Sequence, residues 1–258
     1  MRGPRLPRYG GALPAITASV ASRCLLHWRP DWAGQHAQTG AVLCVTDHQL
    51  AFTRGGNTLA SVATSSGGTY TAAAGQVAWE SRTLYTGSKR MGVRSGATDT
   101  LTSPQVPTPQ AMALLAEFIC DTDPAVGYNL LTIGTTTTTD PALILFVLPT
   151  SYRLLYTSTG SSYAYCDVAR TSADNGKLIR LRGTWTAGGA CELYASVDGA
   201  AEGALGTQTG TLARVAWAAG TQWRIGSGRG ANVGLSGWHG GVKVIAGEPA
   251  EADVLGVW

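Results

Sequence analysis

Residues 185–198 read Trp185-Thr-Ala-Gly-Gly-Ala-Cys-Glu-Leu-Tyr-Ala-Ser-Val-Asp198, and Gly199 follows. A strand ends on Trp185, small residues make a turn, and a second strand closes on Val197-Asp-Gly199. Just upstream, Lys177–Trp185 alternates, with Leu178, Arg180 and Arg182 on one parity and Ile179, Leu181 and Gly183 on the other. Downstream, Trp223-Arg-Ile-Gly226 leads into Leu235-Ser-Gly-Trp-His-Gly-Gly-Val-Lys-Val-Ile245. Short alternating runs separated by glycine-rich turns predict an all-β chain folded as an antiparallel β-sandwich.

Composition agrees. The chain has 258 residues and 34 glycines, and 44% of its residues are hydrophobic, enough for a sizeable core. Only 14% are charged, against about 25% in ordinary globular proteins. That mix suits uncharged strands and tight turns and disfavours a helical enzyme. Residues 1–94 carry ten basic and three acidic side chains, residues 95–258 nine and thirteen. The basic residues of the first part are scattered and lack an interleaved aromatic platform, so nucleic acid is not an expected partner. No stretch approaches the length of a bilayer span, so no membrane partner is expected.

Three regions are expected. Residues 1–22 form an extended arm, because Pro4, Pro7, Gly10, Gly11 and Pro14 oppose both helix and regular strand. Arg2, Arg5 and Arg8 precede Ala12–Ala21, but that run is short and broken by Pro14, a poor signal peptide. Neighbours in an assembly are expected to hold this arm. Residues 23–100 form a small β-rich region with clear strands at Ala41–Val45 and Gln49–Thr53. Residues 101–258 form the main sandwich. Its strands are expected at 111–120 (where the first half also suits a helix), 128–133, 142–148, 152–157, 162–168 and 177–185. Ser158–Ser161 marks a hairpin, and Glu248–Val254 a late helical turn.

From Leu101 onward the order of these segments resembles the laminin-G-like, or concanavalin A-like, jelly roll. Phe118-Ile-Cys120 with Asp123-Pro124, then Tyr128–Gly134, resemble its early strands. Lys177–Trp185 with Leu193–Gly199 resemble its central hairpin, and Ile225-Gly226 with Leu235–Ile245 its closing strands. Phe52-Thr-Arg54, Ala63-Thr64, Tyr70–Gly75 and Glu80-Ser-Arg82 are similar to a segment of tailed-bacteriophage structural proteins that often precedes a lectin-like domain. The two resemblances together imply a virion protein: a tail or tail-tip appendage, oligomeric in the particle. Its front region would contact other virion proteins, and its jelly roll would bind host surface glycan or neighbouring subunits. The alternatives are a capsid decoration protein that stabilises the shell, a glycan-degrading enzyme, and a secreted bacterial adhesin.

Each chemistry-bearing residue also has a structural role open to it. Glu117, Asp121 and Asp123 share a parity but lack the Glu-x-Asp-x-Glu strand motif of sandwich glycosidases, and the turn at Asp123-Pro124 breaks the parity; no catalytic residue is assigned. Cys24 with His27, and Cys44 with His48, have spacings a zinc site could use, yet match no finger or ribbon, and His36 and His239 stand apart. Gly226-Ser-Gly-Arg-Gly230 precedes a strand and not a helix, so it reads as a hairpin loop. The laminin-G resemblance makes Asp140 and Asp167 candidates for a rim calcium, but nothing fixes their spacing and no metal or cofactor is assigned. Cys120, Cys166 and Cys191 read as buried free thiols. Tyr152, Tyr156, Tyr163 and Tyr165 fall on two pairing strands and share parity within each, so they are the candidate glycan-binding residues, with core packing as the competing role.

Overall fold

Met112–Cys120 is apolar apart from Glu117, and every one of its nine residues is buried. A segment covered on both faces shows no two-residue alternation, which is why its sequence also suits a helix. It is a strand, and it sits in the middle of one sheet.

The computed structural model describes residues 24–28, 41–44, 50–53, 62–63, 69–72, 78–95, 101–103, 111–135, 137–159, 162–186, 188–225 and 233–247. The strands in chain order begin with β1 (Cys24–Trp28), β2 (Ala41–Cys44), β3 (Leu50–Thr53), β4 (Val62–Ala63), β5 (Thr69–Ala72) and β6 (Ala78–Thr83). Next come β7 (Lys89–Ser95), β8 (Leu101–Ser103), β9 (Met112–Cys120), β10 (Tyr128–Gly134), β11 (Ala142–Val147) and β12 (Ser151–Thr157). The chain continues through β13 (Tyr163–Ala169), β14 (Leu178–Trp185), β15 (Cys191–Val197) and β16 (Thr207–Thr209). Last are β17 (Gln222–Ile225), β18 (Val233–Gly234) and β19 (Gly237–Ala246). One sheet runs β15-β14-β9-β19-β1-β2-β3, with β7 also on β19 and β6 on β7. The other runs β16-β13-β12-β11-β10-β17-β8-β5-β4, with β18 parallel to β10. The fold is an all-β, antiparallel jelly-roll sandwich, as the segment order implied. Ladders join β1 and β7 to β19, and β5 to β8, so strands on either side of residue 100 share both sheets. The arm at 1–22, His36, His48, the loop at 226–230 and the segment at 248–254 lie outside the described residues.

The core lies between the sheets. Leu114, Ala116, Phe118, Ile179, Leu181, Trp185, Val242 and Val244 face Leu131, Leu143, Leu145, Tyr152, Leu154 and Tyr156. Each large apolar side chain buried there contributes about 1.5–3 kcal/mol. Two aromatic contacts bridge the layers: Phe118 meets Tyr152 edge-on at 6.1 Å, and Tyr156 lies 4.3 Å from Trp185. Between them the sheets approach closely because Gly183 has no side chain; a Cβ there would stand 2.9 Å from Cδ2 of Leu154. Beyond β15 the chain reverses through Asp198 (φ 48°) and Gly199 (φ 73°), the left-handed pair that a tight two-residue turn needs. It then returns along the free edge of β15. There Gly203 N–H donates to the carbonyl of Ala195 and Gly206 N–H to that of Leu193, both at 2.9 Å, which covers an edge otherwise open to strand pairing.

Cys120, Cys166 and Cys191 are free and buried, as expected. Burial pushes the thiol of Cys166 up to about 11 and that of Cys191 to about 12. His239, opposite Phe118 in the β9–β19 ladder, is 3% exposed, and burial holds its imidazole down at about 4. The unfolded chain takes up that proton near pH 6.5, so folding is disfavoured as pH falls below 6.5. The loss grows until about pH 4 and then stays constant, at of order 3 kcal/mol. Urea unfolding of a His239→Gln variant is expected to show a flatter stability profile across this window. An unchanged slope would assign the acid sensitivity to other groups.

Candidate functional site

The hairpin register decides what each tyrosine can do. Thr157 pairs with Tyr163, Tyr156 with Ala164, Leu155 with Tyr165 and Leu154 with Cys166. Tyr152, Leu154 and Tyr156 therefore share a face with Ala164 and Cys166, and that face lines the core. Tyr152 and Tyr156 are 1% and 0% exposed. Burial raises both phenols above their ordinary value; the Tyr152 hydroxyl donates to Asp174 at 3.2 Å, and the Tyr156 hydroxyl accepts from Val215 N–H at 3.0 Å. The four tyrosines do not form one row: two are core residues and have no surface to offer a ligand.

Tyr163 and Tyr165 face outward with Arg153, Leu155 and Thr157. Tyr163 is 56% exposed, and its ring lies 5.9 Å from that of Tyr165 at an angle of 30°. Arg153 stands directly across the ladder from Asp167 and donates to it twice, from Nε at 2.7 Å and Nη2 at 2.6 Å. These hydrogen bonds raise the Arg153 pKa further above its ordinary value. The guanidinium is thereby held 4.0 Å from the centroid of the Tyr165 ring, at cation–π distance. The exposed edge strand β16 adds Thr209 opposite Tyr165 and Thr207 opposite Asp167. Among the described residues, the hydroxyls of Tyr163, Tyr165, Thr207 and Thr209 and Nη1 of Arg153 have no protein partner. The result is an open surface of one free ring, one covered ring, a locked ion pair and several unused donors and acceptors.

The remaining candidates have structural roles. Glu117 is fully buried and accepts from Nε of Arg180 at 2.7 Å. Asp121 pairs with Arg82 at 2.8 Å. Asp123 accepts from Arg170 at 2.8 Å and from Asn175 at 3.0 Å, which lowers its pKa. Arg170, itself buried, also donates to the carbonyl of Pro149 at 3.0 Å and to Asn175, tying three loops together. Of the calcium candidates, Asp140 accepts from the Thr135 hydroxyl at 2.6 Å, and both oxygens of Asp167 are taken by Arg153. Among the described residues no three metal-ligating side chains come together. Tyr163 and Tyr165 were candidates from the sequence, whereas Arg153, Thr207 and Thr209 were not, and Asp167, expected on a rim, lies within a strand. The signal was available: a hairpin centred on residue 160 sets 153 against 167.

No family model and no curated protein matches the sequence. Solved structures do match the fold. The botulinum neurotoxin serotype D binding domain superposes with a TM-score of 0.59 at 10% identity, over 93% of this chain and 51% of that one. A structure of botulinum neurotoxin type C, whose cell entry depends on interaction with two ganglioside molecules, gives 0.57 at 8% identity, over 93% and 52%. Domain 4 of AbnA, a GH43 extracellular arabinanase from Geobacillus stearothermophilus, solved with arabinotriose, gives 0.54 at 12% identity, over 92% and 100%. The chain thus spans about half the length of the toxin chains it matches and all of the arabinanase domain. At these identities the likeness is one of fold.

A second arginine is built like the first and separates stability from display. Arg182 on β14 lies 4.1 Å from the ring of Tyr194 and pairs with Glu202 at 2.5 Å, with both side chains below 10% exposed. The Arg153–Asp167 pair is about a quarter exposed. Removing Arg182 strands a buried carboxylate, so Arg182→Ala is expected to cost about 3–5 kcal/mol. Arg153→Ala is expected to cost at most about 1 kcal/mol. Parallel denaturant titrations check the ranking, and equal losses would mean that the outer pair is also structural.

Proposed function

We propose that this chain is a non-catalytic carbohydrate-binding jelly roll whose binding surface is the outer face of β12, β13 and β16. The observation that carries the reading is the Tyr163–Tyr165 pair, the first ring exposed and the second half-buried under Arg153, beside a locked ion pair and unused hydroxyls. An aromatic ring with one open face packs against the C–H face of a sugar, while phenolic and threonine hydroxyls exchange hydrogen bonds with sugar hydroxyls. Support comes from the company the fold keeps, which includes a toxin that interacts with gangliosides and a domain solved with arabinotriose. The surface is shallow, so affinity per copy is weak and several copies on one particle would add avidity.

Display on a bacteriophage virion, as a tail or tail-tip appendage anchored through its front region, is the accompanying proposal; it rests on the Phe52–Arg82 resemblance. Mass spectrometry of purified particles should then contain the chain; its recovery only from the soluble cell fraction would sink this placement. For the site itself, Tyr163→Ala is expected to weaken glycan binding by about tenfold or more, since a lost stacking contact is worth roughly 1–2 kcal/mol. Tyr156→Phe, a change in the core, should leave binding within about twofold. Isothermal titration against whichever array-identified oligosaccharide binds measures both, and undiminished binding by the Tyr163 variant rules this surface out.

A further inference from the structure

We infer that the site selects uncharged saccharides, and that Asp167 sets this selectivity by occupying the guanidinium donors that a sugar carboxylate would take. The inference rests on the carbohydrate-binding reading and adds the class of ligand. The three strands that build the surface read Ser-Tyr-Arg-Leu-Leu-Tyr-Thr, Tyr-Ala-Tyr-Cys-Asp-Val-Ala and Thr-Gln-Thr. They contain one cation and one anion, Arg153 and Asp167, and these two neutralise each other at 2.6 Å. An arginine recognises carboxylates because two parallel N–H groups match two carboxylate oxygens. Here the fork formed by Nε and Nη2 is already filled by both oxygens of Asp167. Nη1 remains, but an acidic sugar reaching it would bring its charge close to Asp167. Like charges so placed repel, and this rejects the wrong ligand without improving the right one. A neutral sugar meets no such penalty and finds the free hydroxyls of Tyr163, Tyr165, Thr207 and Thr209.

The test is a printed array in which each neutral oligosaccharide is matched by sialylated and uronate-bearing counterparts, probed with the full chain at about 50 and 300 mM salt. Wild-type protein is expected to bind neutral members, with affinity changing less than about twofold between the two salts, and acidic counterparts about tenfold more weakly. Asp167→Asn frees the guanidinium and should bring acidic members to within about threefold of neutral ones, in a salt-dependent way. Arg153→Gln leaves Asp167 unbalanced and should widen the gap, which gives an opposite reading from an independent variant. Preference of the wild type for acidic members, abolished by Tyr163→Ala, overturns the selectivity while the carbohydrate reading stands. A neutral-to-acidic ratio that neither charge variant moves overturns the role of Asp167. Failure of the wild type to bind any member overturns both.

Discussion

Leu154 fills the space that Gly183 leaves open, and on this contact the two sheets find their seating. Tyr152 against Phe118 and Tyr156 against Trp185 flank it along the same inward row of β12. Side chains alternate strictly along a strand, so fixing residues 152, 154 and 156 inward forces 153, 155 and 157 outward. The ladder to β13 carries that choice across to Tyr163, Tyr165 and Asp167. A slip of one residue would bury an arginine and expose three apolar side chains. The surface we propose as the binding site is therefore set by core packing on the other face of the same two strands.

The chain uses few charges, and the described pairs show two distinct uses. Arg170 and Arg182 work below the surface, one tying loops and the other pinning β14 to the loop after β15. Arg153 holds the same guanidinium-over-tyrosine arrangement in the open. Because Asp167 fixes it at two points, little side-chain freedom remains to be lost when a ligand arrives, and this freedom is a large part of what weak binders spend.

Much of the architecture was legible in the sequence. Strands β10 to β14 stand close to where short apolar or alternating runs between turn signals put them; β12 and β13 show the period of a half-buried strand, whereas β10 and β11, buried at every position, were marked by continuous apolar runs. The segment order of a jelly roll was visible from Leu101 onward. Core packing was weighed for the tyrosines as a group, but which two it takes was not read, although Leu154, Cys166 and Val168 already marked the even-numbered positions as apolar. Parity within a strand was seen, but parity between paired strands depends on where the hairpin is centred, and that was left open. Contacts such as Arg170 with Asp123, loop to loop, and Arg182 with Glu202, strand to loop, reach across 47 and 20 residues. No local pattern encodes them, because they exist only after the sheets have closed.

The three buried thiols bear on the conditions the domain withstands. With Cys166 and Cys191 held at about 11 and 12, roughly one thiol in ten thousand or fewer is ionised at neutral pH, and only the ionised form attacks a disulfide or an oxidant. None of the three is bonded to another cysteine, so these positions add no cross-link that a reductant could cut. At these three positions the interior is slow to exchange or oxidise, and a change from reducing to oxidising surroundings leaves their packing as it was.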